Sequence, residues 1–267
     1  MSVVLQVSDP HFGTEQASVV EALVALAQRQ RPDLVVLSGD ITQRARAAQF
    51  RAARACIDRL GAPVLAIPGN HDIPLFDLPA RLLRPYAAFA RAFGPELEPV
   101  HTSPDLLVLC VNTTRRWRHQ NGEVSPAQIE RVATRLRAAD DAQLRVVVVH
   151  QPAAVQRPQD AHDLLRGHAA ALARWAEAGA DLVLGGHIHL PYVMAMPALA
   201  RPLWVVQAGT AVSSRVRAGV PNSVNLLRWG GALPAGRCAI EQWDFDAAAA
   251  SFVPGPVTWT LPARARS

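Results

Sequence analysis

The chain has 267 residues, 50% of them hydrophobic, and its 27 basic and 22 acidic side chains give a net charge of +5. This hydrophobic content excludes a disordered chain, and three cysteines are too few for a disulfide-stabilised scaffold. All 27 basic residues are arginine, and alanine is equally widespread. Because a coding bias explains this composition, the charge does not indicate a nucleic-acid partner, and we expect no stable nucleic-acid complex.

The start of the chain and the cysteines bear on its location. Residues 1–8 carry no basic residue ahead of an apolar run, and no apolar run reaches the roughly 18 residues that span a bilayer. Cys56, Cys110 and Cys238 are scattered and odd in number, as expected for small core residues in a reducing compartment. We therefore expect a cytoplasmic protein without a transmembrane segment.

Short apolar runs alternate with longer alanine-rich stretches through the first two thirds of the chain. The runs predict strands at Val3–Val7, Leu34–Leu37, Val64–Ile67, Leu106–Val111, Val146–Val149 and Leu182–Leu184. The stretches between them predict helices at Glu15–Arg31, Arg44–Leu60, Asp77–Phe93, Pro126–Ala139 and Asp163–Ala178. Because the strands are continuously apolar, both faces of their sheet should be covered. The alternation predicts an α/β fold with a largely parallel sheet.

The last third of the chain follows a different pattern. Four consecutive strands are predicted at Leu203–Gln207, Ser223–Trp229, Ala239–Phe245 and Val257–Leu261. Glycine- and proline-containing turns join them, so we expect antiparallel pairing. No linker or charge block separates residues 203–261 from residues 1–190, which favours a single domain over residues 1–267, with a frayed end at Pro262–Ser267. The tryptophans of these strands favour core packing and leave homo-oligomer formation as an alternative.

Polar side chains follow five of the predicted strands. They are Asp9, His11, Asp40, Asn70, His150, His187 and His189. Asp9, Asp40 and Asn70 are 31 and 30 residues apart, which is about one βαβ unit each. Because parallel strands end at the same edge of a sheet, these side chains should lie close together.

These seven residues offer carboxylate, amide and imidazole ligands and no thiolate. Such a set suits divalent Mn, Fe or Zn, and it does not choose among them. Seven ligands are too many for one tetrahedral ion and suit two ions that share a carboxylate, for which Asp40 is the natural candidate. Two ions roughly 3.5–4 Å apart favour in-line displacement at phosphorus, with a metal-bound hydroxide as nucleophile.

At these residues the chain resembles the calcineurin-like metallophosphoesterase superfamily. The motifs are Asp9-Pro-His11, Gly39-Asp40, Gly69-Asn70-His71-Asp72, His150 and Gly186-His187-Ile188-His189. They occur in the family's order over residues 9–189. The resemblance implies a four-layer α/β/β/α sandwich with two mixed β-sheets and a metal centre where the sheets meet.

Carried over residue by residue, the resemblance implies a dinuclear metal centre. One ion would be held by Asp9, His11, Asp40 and His189. The other would be held by Asp40, Asn70, His150 and His187. His71 would be the catalytic residue, which protonates the leaving oxygen or stabilises the transferred phosphoryl group.

In its length and its Asn-His-Asp motif, the chain most resembles the bacterial cyclic-nucleotide and glycerophosphodiester phosphodiesterase branch of the superfamily. Two positions depart from the pattern of many relatives. Gln43 stands where they have an aspartate that can orient the catalytic histidine, so His71 is left to Asp72, a backbone carbonyl or solvent. Asn112 stands where they often have an aspartate, either as a polar residue behind the metal ligands or as a turn former.

We therefore predict a dinuclear-metal-dependent phosphohydrolase that cleaves a small phosphodiester. The alternatives are a phosphomonoesterase or pyrophosphatase for a nucleotide or lipid precursor, and a non-catalytic scaffold. Candidate contacts to the phosphorylated substrate are Arg44, Asn112, Arg115, Arg116 and Arg215. A solvated basic loop is the competing interpretation of these arginines.

Overall fold

The computed structural model describes residues 1–231, 233–234 and 236–261, and within them the chain forms two six-stranded sheets and six α-helices. The strands are β1 (Ser2–Val7), β2 (Leu34–Ser38), β3 (Val64–Ile67), β4 (Val100–Thr102), β5 (Leu106–Cys110), β6 (Leu144–Val148), β7 (Leu182–Gly185), β8 (Tyr192–Ala195), β9 (Trp204–Gln207), β10 (Ser223–Trp229), β11 (Cys238–Asp246) and β12 (Ser251–Thr260). The helices are α1 (Ala17–Gln30), α2 (Ala47–Asp58), α3 (Leu78–Leu83), α4 (Ala87–Phe93), α5 (Pro126–Arg137) and α6 (His168–Ala178).

The first sheet has the strand order β12-β11-β10-β1-β2-β3. Strands β1, β2 and β3 are parallel, with Leu5 opposite Val35, whereas β10, β11 and β12 form an antiparallel meander attached to β1. The second sheet has the order β4-β5-β6-β7-β9-β8, in which the four central strands are parallel and the edge strands β4 and β8 are antiparallel to their neighbours. Both sheets are therefore mixed, as the family resemblance implies.

Helices cover the outer faces of the two sheets, and the inner faces pack against each other. Alternation along β1 shows the arrangement: Leu5 joins the cluster formed with Leu23 of α1, while Val4 joins the cluster formed with Val146 of β6. On the far side, Trp175 of α6 is fully buried against the second sheet. The four-layer α/β/β/α sandwich is confirmed, and the covering of both faces explains the continuous apolar strands.

The elements differ from the sequence-based expectation in a few places. The predicted helix Asp77–Phe93 is two helices, because Pro85 has no N–H and excludes helical backbone at Arg84, whose φ is −147°. The predicted helix Asp163–Ala178 begins only at His168, after a 3₁₀ segment at Pro158–Asp163. Short edge strands β4 and β8 were not predicted: β4 has no apolar run, and the apolar run of β8, Tyr192–Ala195, is only four residues long.

Strand β12 is longer than the predicted Val257–Leu261 and contains Pro254 and Pro256. Proline is tolerated there because β12 lies at the edge of its sheet, where one row of backbone N–H groups has no partner strand. The tail Pro262–Ser267 lies outside the described residues. Among the described helices, none has the combination of length and apolar character that a membrane span requires. That residues 1–267 form one domain stays a prediction.

Candidate metal centre

Five loops bring the seven predicted metal ligands to one place. Asp9 and His11 follow β1, Asp40 follows β2, and Asn70 begins a 3₁₀ turn after β3. The other three follow strands of the second sheet: His150 comes after β6, and His187 and His189 come after β7. The site therefore lies where the carboxyl ends of both sheets meet.

The ligand atoms are close enough to share cations. His150 Nε2 lies 3.3 Å from Asp40 Oδ1 and 3.2 Å from Asn70 Oδ1, and His189 Nε2 lies 3.3 Å from Asp9 Oδ1. Groups of three donors within 4.8 Å of one another are Asp9–His11–His189, His11–Asp40–His71 and Asp40–His150–His187. The first and third groups fall within the two ligand sets that the resemblance implies.

The backbone of the ligand loops is unusual for residues with side chains. Asp9, His11, Asp40, His187 and His189 all have positive φ, between 43° and 74°. This left-handed conformation costs of order 1 kcal/mol or more for a residue other than glycine, and it persists where the surrounding structure enforces it. Its clustering at one site indicates that the fold aims these side chains at a common point.

Glycines let the ligand loops approach one another. A Cβ atom at Gly69 would collide with Asp40, and one at Gly186 would collide with Ser8 and Asp9. Polar side chains also join the two sheets beneath the site, since Gln6 Nε2 donates to the carbonyl of Gly185 at 3.0 Å. The close packing of these loops therefore depends on the absence of a side chain at Gly69 and Gly186.

Two buried polar atoms test whether these residues fit metal ions. In the part of the chain that the structure describes, Asp9 Oδ1 and His187 Nδ1 are buried without a hydrogen-bond partner. An unpaired buried polar atom is costly, and a coordinated cation would satisfy both. The ring orientation of His150 is fixed as well, because its Nδ1 donates to the carbonyl of Ser38 at 2.8 Å. The donor set fits a divalent cation of the Mn, Fe or Zn type.

Charges in the cluster are strongly coupled. Burial raises the pKa of Asp9, but the charge of the His189 imidazole, whose Nε2 lies 3.3 Å from Asp9 Oδ1, outweighs it and lowers the pKa to about 2. Burial lowers the pKa of His150, but the charge of Asp40 outweighs it and raises the pKa to about 9. Burial lowers the pKa of His11 to about 3. Without cations, the protonated imidazole of His150 therefore balances the charge of Asp40, whereas His11 is neutral.

His71 is oriented by a backbone carbonyl. Its Nδ1 donates to the carbonyl oxygen of Gln43 at 2.9 Å, so that Nε2 points into the cavity, 3.2 Å from a guanidinium nitrogen of Arg215. This is one of the three partners that the sequence left open. Burial lowers the pKa of His71, and the charge of Arg215 acts in the same direction.

Asp72 has a different task from orienting His71. It is fully buried, and it accepts hydrogen bonds from the backbone N–H groups of Ile41, Thr42 and Gly69 and from the hydroxyl of Thr42, at 2.8–2.9 Å. Burial and the charge of Asp40 raise the pKa of Asp72 to about 7. Asp72 thereby fastens the Asp40 loop to the Asn70 loop.

A cavity of about 320 Å³ opens onto the cluster. Its lining includes the predicted residues Asp40, Asn70, His71, His187, His189 and Arg215. It also includes Gln120, Asp160, His162 and Asp163, which the sequence did not single out, and Arg217, two residues after the predicted contact Arg215. Asp160 and Asp163 lie in the 3₁₀ segment before α6, where no strand end marks them.

Comparison with known proteins is consistent with this geometry. The sequence model of the calcineurin-like phosphoesterase family matches residues 2–191, well over half of the chain. The chain belongs to the calcineurin-like phosphoesterase family. The family predicted from the motifs is confirmed.

Relatives of this calcineurin-like phosphoesterase are known in sequence and in structure. The glycerophosphodiester phosphodiesterase GpdQ of Enterobacter lignolyticus is 39% identical over 25% of this chain and 28% of its own. A probable cyclic nucleotide phosphodiesterase of Synechococcus is 32% identical over 27% of this chain and 31% of its own. The chain thus matches under a third of the length of either curated relative. A dimetal phosphatase from Danio rerio has the same fold, with a TM-score of 0.69 at 14% identity over 98% of this chain and 99% of its own.

Of the substrate contacts predicted for this calcineurin-like phosphoesterase, Arg215 lines the metal cavity. Asn112, Arg115 and Arg116 line a second cavity, where Asn112 Oδ1 accepts from Thr114 and Arg115 donates to Gln128 at 2.7 Å. Arg44 lies over the ring of Phe76, 5.8 Å from its centre. Arg115 and Arg116 of the basic loop therefore line a different cavity from Arg215, which lies beside the candidate metal ligands.

Proposed function

We propose that this protein is a metal-dependent phosphoric ester hydrolase that cleaves a small phosphodiester. One observation carries the proposal: two groups of metal-binding side chains, related through Asp40, share a cavity with an oriented histidine and an arginine. The names of the two curated relatives support a diester as substrate. Every predicted ligand position carries a side chain that can bind metal, which argues against a non-catalytic scaffold.

The candidate metal ligands divide between two cations. Asp9, His11 and His189 would hold one cation, and Asn70, His150 and His187 would hold the other. Asp40 would be a ligand in both sets. Bound divalent cations lower the pKa of water and offset the negative charge that develops on phosphoryl oxygens. The proposal leaves Mn, Fe and Zn as alternatives.

His71 would carry the proton of the leaving group. As an acid it must first take a proton at Nε2 against its lowered pKa, while Nδ1 keeps its hydrogen bond to Gln43; Nε2 then gives that proton to the leaving oxygen. The bond between phosphorus and the leaving oxygen breaks as the oxygen of water bonds to phosphorus on the opposite side, and that water releases one proton to solvent, which replaces the proton that His71 gives up. The products are an alcohol and a phosphate monoester.

Turnover of model esters tests the reaction class. Chelator-treated protein is reloaded with Mn²⁺, Fe²⁺ or Zn²⁺ and assayed with bis-p-nitrophenyl phosphate and p-nitrophenyl phosphate. We expect faster turnover of the diester and loss of both metal and activity in Asp40→Ala. Full activity of Asp40→Ala in chelator-treated buffer would contradict the proposal, and faster turnover of the monoester would favour the phosphomonoesterase.

A histidine substitution tests the acid. His71→Gln should retain bound metal and lose about 10²–10⁴-fold in kcat, more for an alkoxide than for a p-nitrophenolate leaving group. His168→Gln is the matched control, because its Nδ1 also donates to a backbone carbonyl, that of Leu165 at 2.8 Å, but it lines another cavity. Equal losses for both leaving groups would exclude proton donation by His71.

A cytoplasmic location and homo-oligomer formation stay predictions.

A further inference from the structure

Two arginines line the metal cavity, and their electrostatic environments differ. The guanidinium of Arg217 makes a two-point contact with the carboxylate of Asp160, at 2.8 and 3.2 Å, and Asp160 is 3% exposed. This charge-assisted pair compensates both charges and fixes the arginine against the 3₁₀ segment. Arg217 therefore brings little net positive charge to a ligand.

Arg215 has no such partner. Its Nη1 lies 3.0 Å from Gln43 Oε1, 3.2 Å from His71 Nε2 and 3.3 Å from His11 Nδ1. Within residues 1–231, 233–234 and 236–261, no carboxylate forms an ion pair with Arg215. Within that part of the chain, its positive charge therefore lies beside His71 without a carboxylate in direct contact.

Gln43 explains why that charge is free. The Gln43 side chain accepts one hydrogen bond from Arg215 but carries no negative charge. Its backbone is fixed on both sides, because its N–H donates to the carbonyl of Phe12 at 3.0 Å and its own carbonyl accepts from His71. A carboxylate at this position would instead pair with Arg215.

The backbone of Arg215 is tied to the metal cluster independently of its side chain. Its carbonyl accepts a hydrogen bond from Nδ1 of His189 at 2.5 Å, while its N–H donates to the hydroxyl of Ser213 at 2.9 Å. The guanidinium is thus presented from a fixed base, close to both His71 and His11. Changing the side chain leaves these two backbone contacts intact.

We propose that Arg215 binds a non-bridging oxygen of the substrate's phosphoryl group, and that an uncharged side chain at Gln43 leaves the charge of Arg215 available for it. The inference rests on the proposed function, since it requires a phosphoryl group at the metal centre. A guanidinium has a planar set of donors that matches phosphate oxygens, and a charged hydrogen bond is stronger than the neutral contacts it would replace. Arg217, by contrast, supports the cavity wall.

Binding of inorganic phosphate to Mn²⁺-loaded protein, followed by calorimetry, tests this division of roles. Arg215→Gln should raise the Kd for phosphate by about tenfold to a hundredfold, the range expected for one hydrogen bond to a charged group. Gln43→Glu should have an effect in the same range, because the new carboxylate neutralises Arg215. Gln43→Met, which is similar in length and uncharged, should stay within about fivefold of the parent protein.

The double variant Asp160→Asn with Arg217→Gln is the control for the second arginine. Its phosphate affinity should also change by no more than about fivefold, because a compensated pair has been removed as a unit. Metal content, measured on every variant, must equal that of the parent protein. An unchanged phosphate affinity in Arg215→Gln, or an equal loss in Gln43→Met and Gln43→Glu, would overturn the inference.

The two proposals fail in different ways. If phosphate binding depends on Arg215 but no phosphate ester is hydrolysed under any metal, the proposed function is wrong and the binding site stands. If esters are hydrolysed and phosphate affinity is the same with and without the Arg215 guanidinium, the inference is wrong and the hydrolase stands.

Discussion

Replacing Asp72 by asparagine is the sharpest test of how the metal-binding loops are held. The two carboxylate oxygens of Asp72 accept four hydrogen bonds: Oδ1 from the N–H and hydroxyl of Thr42, and Oδ2 from the N–H groups of Ile41 and Gly69. Asparagine keeps one oxygen, so two buried donors lose their acceptor. The side chain is fully buried, and water cannot replace the lost acceptor without rearrangement.

The expected magnitude follows from the number of lost contacts. Each buried donor left without an acceptor costs about 1–3 kcal/mol, which gives about 2–6 kcal/mol for Asp72→Asn. A domain of this size has a total free energy of unfolding of about 5–15 kcal/mol, and its Tm falls by about 2–4 °C for each kcal/mol lost. The substitution should therefore lower the Tm by roughly 5–20 °C.

Denaturant unfolding of chelator-treated protein, at an acidic pH well below the Asp72 pKa of about 7, compares a neutral carboxyl with a neutral amide. It therefore measures the lost hydrogen bonds without bound metal and without the Asp72 charge that burial and Asp40 disfavour. Asp77→Asn is the matched control: Asp77 Oδ1 also accepts a backbone N–H, that of Ala80 at 3.0 Å, but at the exposed start of α3. Its loss should stay below about 0.5 kcal/mol, because asparagine caps helices as well as aspartate does. A loss for Asp72→Asn as small as the control's would refute the reasoning.

Further predictions concern metal affinity and helix capping. Gly186→Ala should weaken Mn²⁺ binding by about 10–100-fold, because the added methyl group collides with Ser8. The control Gly61→Ala, whose methyl group meets nothing within 4 Å, should leave metal content unchanged. Equal metal loss in both variants would contradict the argument. Since His150 must lose a proton held with a pKa of about 9, Mn²⁺ affinity in calorimetric titrations should rise about tenfold per pH unit between pH 6 and 8, and a pH-independent affinity would argue against His150 as a ligand. Ser125→Ala should lower stability by about 1 kcal/mol, because Ser125 Oγ accepts the N–H of Gln128 at the start of α5; an unchanged Tm would mean that this cap is not needed.

Local sequence was a good guide to the fold where one signal dominated. The apolar runs that became β1, β2 and β3 are short, continuous and bounded by helix-forming stretches, so strand and parallel pairing followed together. Prediction failed where a single residue changed the outcome, as Pro85 did between α3 and α4. It also failed at β4 and β8, whose pairing depends on neighbouring strands rather than on their own composition.

The clustering of the candidate metal ligands was predictable for a topological reason. Asp9, Asp40 and Asn70 recur at the ends of parallel strands, and strand topology alone brings such positions together. The remaining cavity wall has no such signal, because Asp160 and Arg217 lie in irregular segments far apart in the chain and meet only through tertiary packing. For the same reason, Arg115 gave no sign in the sequence that it points into a different cavity from Arg215.

The origin of the ligands in two separate sheets has a consequence for the physical state of the protein. Asp9 and Asp40 belong to one layer of the sandwich, and His150 and His187 belong to the other. In the proposed metal centre, cations held by both pairs would cross-link the two layers at their edge, and saturation with metal at one hundred times Kd would add about 2.7 kcal/mol to the free energy of unfolding. Loss of metal would then stop the proposed hydrolysis and would also weaken the contact between the two sheets, which would make the protein more sensitive to proteolysis.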